Sequence, residues 1–328
     1  MMRLLAVELT RLRWRRAVVV LLAGCALVTV VVLAGTAWST RPISDTELRY
    51  AQEQVERELE RPGLQRQIQR CEKHPDRYGV RDAAGCRASM GPQVEWYLSR
   101  SELRIGETLR GPGLGVITIL MGLLMLVGTT FAGADWSSGS MSNQLLFEPR
   151  RARVWLAKAG AVLALALTTA AALLAAFWGG VALLVRSRGI AVPPDLPELV
   201  AASSGRAVLV IGAAAVGAYA VTMLVRSTVF TLGAMFAVVV GATVLLALLG
   251  VSEAWFPNKN LGAVIWNGTT YHLEPPDACF QRAGRPPQGL DCSGTARLDL
   301  WTGVRNLGVL LAAAAAFSVW SFRRRDVP

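Results

Sequence analysis

Apolar residues in this chain gather into six runs, at about 17–38, 113–134, 157–185, 207–225, 229–250 and 301–322. Each approaches the roughly twenty residues that carry a helix across the ~30 Å hydrocarbon layer of a bilayer. None has an acidic residue near its middle. The pattern predicts an all-α integral membrane protein with six transmembrane helices. An even number of spans puts both termini on one side.

The polar intervals differ in character. Residues 1–16 can place Leu4, Leu5, Leu9 and Leu12 on one helical stripe with arginines opposite, as in a short amphipathic helix at the inner interface. A plain basic flank that only sets orientation is the other reading. Leu22-Ala23-Gly24-Cys25 resembles a lipoprotein cleavage box, but the apolar run continues to Ala37, so 17–38 reads as an uncleaved span. Residues 39–112 predict a small helical cap. In it, Asp45–Arg61 has helical spacing and stops at Pro62-Gly63, and Gln93–Arg104 is expected to be a second helix leading into the next span. Further along lie a loop at 135–156, a link at 186–206 broken by prolines, a tight turn at 226–228, a segment at 251–300 and a tail at 323–328. Glycines in the second span and alanines in the third suit close helix packing.

Composition agrees with this pattern. The chain has 328 residues, 53% of them hydrophobic, and a net charge of +11 carried mostly by arginine. That charge flanks apolar runs instead of covering a folded polar face, which argues against a nucleic-acid partner. With the ends inside, the inner segments hold 13 basic residues against four acids, Glu8, Asp135, Glu148 and Asp326, while the outer segments are close to balanced. The excess of arginine and lysine on one side orients the chain with both termini cytoplasmic.

The cysteines point the same way. Cys71, Cys86, Cys279 and Cys292 fall in the two long outer segments, Cys25 lies in the first span, and the inner loops have none. An oxidising outer face would produce that distribution. The favoured bonds are Cys71–Cys86 and Cys279–Cys292, each closing a short loop, although four cysteines permit three pairings.

Bond-making chemistry finds little support. No Gly-rich loop is followed by Lys and Ser or Thr, so no phosphate-binding loop is present. His74 and His272 stand alone, and neither HExxH nor GxSxG occurs. An intramembrane enzyme or proton-coupled carrier would be expected to place ionisable groups at the span centres.

What remains is the passage from Phe131 to Lys158. There Gly133-Ala-Asp135-Trp-Ser-Ser-Gly139-Ser140 is followed by Leu145-Leu146, Glu148-Pro149-Arg150-Arg151 and Lys158. This order resembles the loop after the second span in ABC-2 type transporter permeases, and is similar to an actinobacterial branch with a large first outer domain. Asp135 stands where Glu is commoner, and Ser140 where Thr is. The resemblance implies a multi-pass bacterial cell-membrane subunit of an exporter, paired with a second copy or paralogue. Two copies of a separate cytoplasmic ATPase would bind the ATP and Mg, with no cofactor in this chain. It also implies roles: Asp135, Gly139 and Ser140 open a coupling segment, Leu145 and Leu146 form its apolar face, Glu148, Pro149, Arg150 and Arg151 end it, and Lys158 anchors the third span at the interface. A non-transporting receptor or assembly protein, binding a partner through its outer segments, is the alternative reading.

Overall fold

The computed structural model describes residues 2–80, 82–98, 100, 102–275, 279 and 292–325. The chain begins with α1 (Met2–Arg13) and, after a two-residue break, α2 (Arg16–Ser39). Helix α3 (Asp45–Leu59) starts where Ser44 Oγ accepts the Glu47 amide, and Asp45 and Glu47 add negative charge to its first turn. Pro62, which cannot continue a helix but suits the first position of one, opens α4 (Pro62–Lys73). Helix α5 (Ala83–Met90) is capped by Asp82, whose carboxylate accepts the Gly85 amide at 2.7 Å.

The helix expected over Gln93–Arg104 is corrected to a single 3₁₀ turn at Val94–Tyr97, with Leu98 already extended. Serines at 99 and 101 are weak helix formers there. Arg100 also holds its side chain against the start of the domain, with its guanidinium 3.3 Å from both Pro42 O and Glu47.

The second apolar run begins earlier than expected. Helix α6 (Ile105–Thr108) passes through a π turn at Leu109–Gly113, containing Pro112, into α7 (Leu114–Ser137). Next come α8 (Ser140–Phe147), α9 (Arg151–Ser187) and α10 (Leu196–Val225). The loop expected at 186–206 is therefore only about half loop, because Pro197 near the start of α10 initiates the helix instead of breaking it.

After Ser227, whose hydroxyl accepts the Phe230 amide, come α11 (Thr228–Phe236), a π turn at Ala237–Gly241 and α12 (Ala242–Leu248). A 3₁₀ turn at Glu253–Trp255 leads to α13 (Pro257–Trp266). Strands β1 (Thr269–His272) and β2 (Thr295–Leu298) pair antiparallel with Thr269 opposite Leu298, and α14 (Leu300–Arg324) ends the description. The described residues are mostly helical, compatible with the all-α expectation, and this two-stranded ribbon is a small addition to the helices.

Among the described residues, five helices are long and apolar enough to cross a membrane: Arg16–Ser39, Ile105–Ser137, Arg151–Ser187, Leu196–Val225 and Leu300–Arg324. The run expected at 229–250 is helical too, passing from α11 through the π turn into α12. Large apolar side chains such as Val20, Leu27, Leu209 and Leu310 are exposed along these helices, as lipid contact requires.

Two compact units divide the chain. One comprises residues 1–32, 109–180 and 192–328; the other comprises 33–108 and 181–191. In the first, α10 packs along α7 and α14, and α13 lies against both α14 and α10. Leu120, Leu124, Phe131, Ile211 and Tyr219 are buried there. In the second, the Cys71–Cys86 disulfide fastens α4 to α5, and Ala51, Ile68 and Leu103 fill the interior. Cys279–Cys292 is the other disulfide, so both favoured pairings are present.

Candidate functional site

The passage singled out by its motif is shaped by two residues. At the end of α7, Gly139 takes φ +68°, a left-handed turn that a side chain would strain, and the chain reverses into α8. At the other end Pro149 forbids α8 from continuing and holds Glu148 extended, at φ −129° and ψ 92°. The eight-residue helix between them is thus a defined element.

Beneath it lies a buried ion cluster. Glu8, Asp135 and Lys158 are all fully buried. Lys158 Nζ donates to Glu8 Oε2 at 2.9 Å and to Asp135 Oδ2. Arg15 donates to Asp135 Oδ1 and, at 3.1 Å, to the Phe131 carbonyl. Arg11 reaches Glu8 Oε1 at 3.3 Å, Ser140 Oγ at 2.7 Å and Gln144 Oε1 at 3.4 Å, while Gln144 Nε2 donates back to Glu8. The Phe131 ring lies 5.0 Å from Lys158 Nζ and 4.9 Å from the Arg15 guanidinium. Three cations face two carboxylates, and every carboxylate oxygen accepts a bond. Buried charges are tolerated only under such conditions.

The cluster joins four elements: Glu8 and Arg11 from α1, Asp135 from α7, Ser140 and Gln144 from α8, and Lys158 from α9. Met141, also buried, adds an apolar anchor to α8. A second set of contacts ties the start of α9 to the end of α14. Arg151 Nη1 donates to the Phe322 carbonyl at 3.2 Å and to the Arg325 carbonyl. Trp155 Nε1 donates to Ser318 Oγ at 3.0 Å, and Tyr219 donates to the Trp155 carbonyl at 3.1 Å. Arg226 stacks on Trp136 at 4.4 Å. Partial burial, then the neighbouring Arg325 and Arg151, pull its guanidinium below the ordinary arginine value.

The motif residues therefore separate into two groups. Asp135, Ser140 and Lys158 point inward, into the ion cluster. Asp135 belongs to α7, and its buried ion pair with Lys158 draws both side chains in. Arg151 is half-buried on its carbonyl partners, and Leu145 and Glu148 are also half-buried. Leu146 is 80% exposed, Pro149, Arg150 and Arg153 are exposed, and Phe147, which the motif did not include, is 92% exposed. Sequence reasoning also missed Glu8, Arg11, Arg15 and Gln144. For Glu8 a signal existed: it is the sole acid among the first sixteen residues, on a helix otherwise basic.

No group of three or more His, Cys, Asp and Glu among the described residues could hold a metal ion. The cluster holds its charges in ion pairs and offers no nucleophile paired with a base. What the arrangement does is tie α8 to α1, and through Glu8 to Lys158 of α9 and Asp135 of α7. No protein-family model, curated protein or solved structure matches the chain.

Proposed function

We propose that this chain is the membrane-spanning permease subunit of an ABC-2 type exporter in a bacterial cell membrane. The sixth span is the helical run at 228–248, and both termini lie in the cytoplasm. Two such subunits, identical or paralogous, dock two copies of a separate ATPase that binds ATP and Mg. One observation carries the reading: α8 presents Leu146 and Phe147 to solvent beside the exposed cations Arg150 and Arg153, while its inner face is bonded to α1 and, through Glu8 and Lys158, linked to α9 and α7. Exposed apolar side chains on a short, firmly held helix suit a groove in a partner. Force applied there would pass into α7 and α9, both long enough to cross the membrane.

The test is co-purification with the partner ATPase, together with ATP turnover by the complex. Leu146→Asp with Phe147→Asp should abolish the association while leaving the isolated chain folded, because neither side chain is buried in it. Arg150→Glu with Arg153→Glu should weaken it. Undiminished association in both variants would overturn the assignment.

A further inference from the structure

The second unit contains a cleft of about 1000 Å³ with no part in the proposed coupling. Its floor and rim come from residues that directly follow α2 (Thr40 to Ile43) and α9 (Arg188, Ile190), from Leu48 on α3, and from the stretch 94–107. Helices α2 and α9 are both candidate spans. The cleft therefore opens where two spans leave the hydrocarbon layer, at the depth of lipid headgroups.

Its lining is divided by chemistry. Ile43, Leu48, Val94, Leu98, Leu103 and Ile190 give an apolar wall. Four arginines also line it, and two of these are already neutralised: Arg100 by Glu47 at 3.3 Å and Arg104 by Glu107 at 3.5 Å. Arg41 and Arg188 have no carboxylate partner among the described residues. Arg41 makes no side-chain hydrogen bond there and stacks on exposed Trp38, 4.3 Å from the ring. Arg188 spends three N–H groups on the end of α2: two on Thr40, through its carbonyl and its hydroxyl (2.8 Å), and one on the Ala37 carbonyl at 2.8 Å. Five N–H donors belong to a guanidinium, so two remain. Both arginines flank Thr40 and keep spare donors, in a cleft whose lining also includes Gln52, Glu95, Glu102 and Glu107.

We infer that this cleft binds a single amphiphile with a phosphate headgroup. The phosphate lies on Arg41 and Arg188, and the chain lies along Ile43, Leu48, Val94 and Leu98. Two guanidinium groups match a tetrahedral anion through charge-assisted hydrogen bonds, and arginine suits this better than lysine. Trp38 fits the same placement, since tryptophan prefers the headgroup level of a bilayer. The inference needs only the two span ends and is independent of the ATPase.

Binding can be measured on the purified full chain in a neutral detergent by native mass spectrometry. The probes are dodecyl phosphate, dodecyl glucoside and inorganic phosphate. Dodecyl phosphate should be retained at one molecule per chain, and the other two should not. Arg41→Gln should weaken retention about tenfold, the equivalent of one charge-assisted bond. It removes no hydrogen bond from the fold, unlike a change at Arg188. Leu48→Asp should weaken it similarly, and intact Cys71–Cys86 with unchanged helix content would show that each variant is folded. Equal retention of dodecyl glucoside would reduce the cleft to a greasy surface, and equal retention of inorganic phosphate would reduce it to an anion site. Either result, or insensitivity to both substitutions, overturns the proposal.

Discussion

Thr228 occupies the space that a side chain at Gly133 would need. A Cβ built on Gly133 would collide with Thr228 Oγ1 and lie 3.1 Å from Thr228 Cβ, so α7 and α11 meet here because residue 133 has no side chain. Gly133→Ala should therefore destabilise the chain by about 1–3 kcal/mol, the usual range for overpacking. Thr228→Ala removes the closest atom and should restore part of that loss, although alone it is mildly unfavourable. Thermal unfolding of both single variants and the double variant in detergent measures the coupling. Additive effects would mean that the two positions do not touch.

Lys158 neutralises two buried carboxylates at once. Lys158→Met should cost about 3–5 kcal/mol, because Glu8 and Asp135 would then face each other's charge with only Arg11 and Arg15 to offset it. Adding Glu8→Gln should recover a substantial part. If Lys158→Met unfolds at the same temperature as the parent, the cluster is not closed to water.

Replacing Cys71 and Cys86 together by serine should loosen residues 45–90 without unfolding the membrane helices. A bond closing a loop with a sequence separation of 15 contributes about 3 kcal/mol in the chain-entropy account. Limited proteolysis of the variant should cut within this region first, while the remainder stays protected.

Glu253 predicts a local pH dependence. Its carboxylate accepts the His272 amide at 2.9 Å and lies 3.2 Å from Lys259 Nζ, and these contacts, the amide first, hold it below the ordinary glutamate range. A carboxyl depressed in the folded state stabilises at all pH values above its unfolded value, about 4.3, and loses that contribution as pH falls through its folded value. Relative to its intrinsic rate, hydrogen exchange at the His272 amide should accelerate in the parent as pH falls below the ordinary glutamate range. In Glu253→Gln the exchange should be fast throughout, apart from the intrinsic pH trend.

Much of this architecture was legible from residue order, and the failures have local causes. Apolar runs located the long helices because length and composition suffice for that. Short loops closed by Cys71–Cys86 and Cys279–Cys292 made the pairings readable. The second helix of the cap was not, since the contacts of Arg100 with Pro42 and Glu47 reach across more than fifty residues of sequence. The π turn at Ala237–Gly241 leaves no trace in hydropathy. At the candidate site the motif located α8 and its ends. The inward placement of Asp135, Ser140 and Lys158 depends on Glu8 and Arg11, more than a hundred residues distant in sequence, and no spacing rule reaches that far.

Glu8 also imposes an order on synthesis. Lys158, one of its partners, is made 150 residues after it. At about 5–20 residues per second the interval is roughly 10–30 s. Throughout it α1 carries a carboxylate that cannot enter its final buried position without its cation. Helix α1 must therefore dock only after α9 has been made, and its docking is a late step relative to its own synthesis.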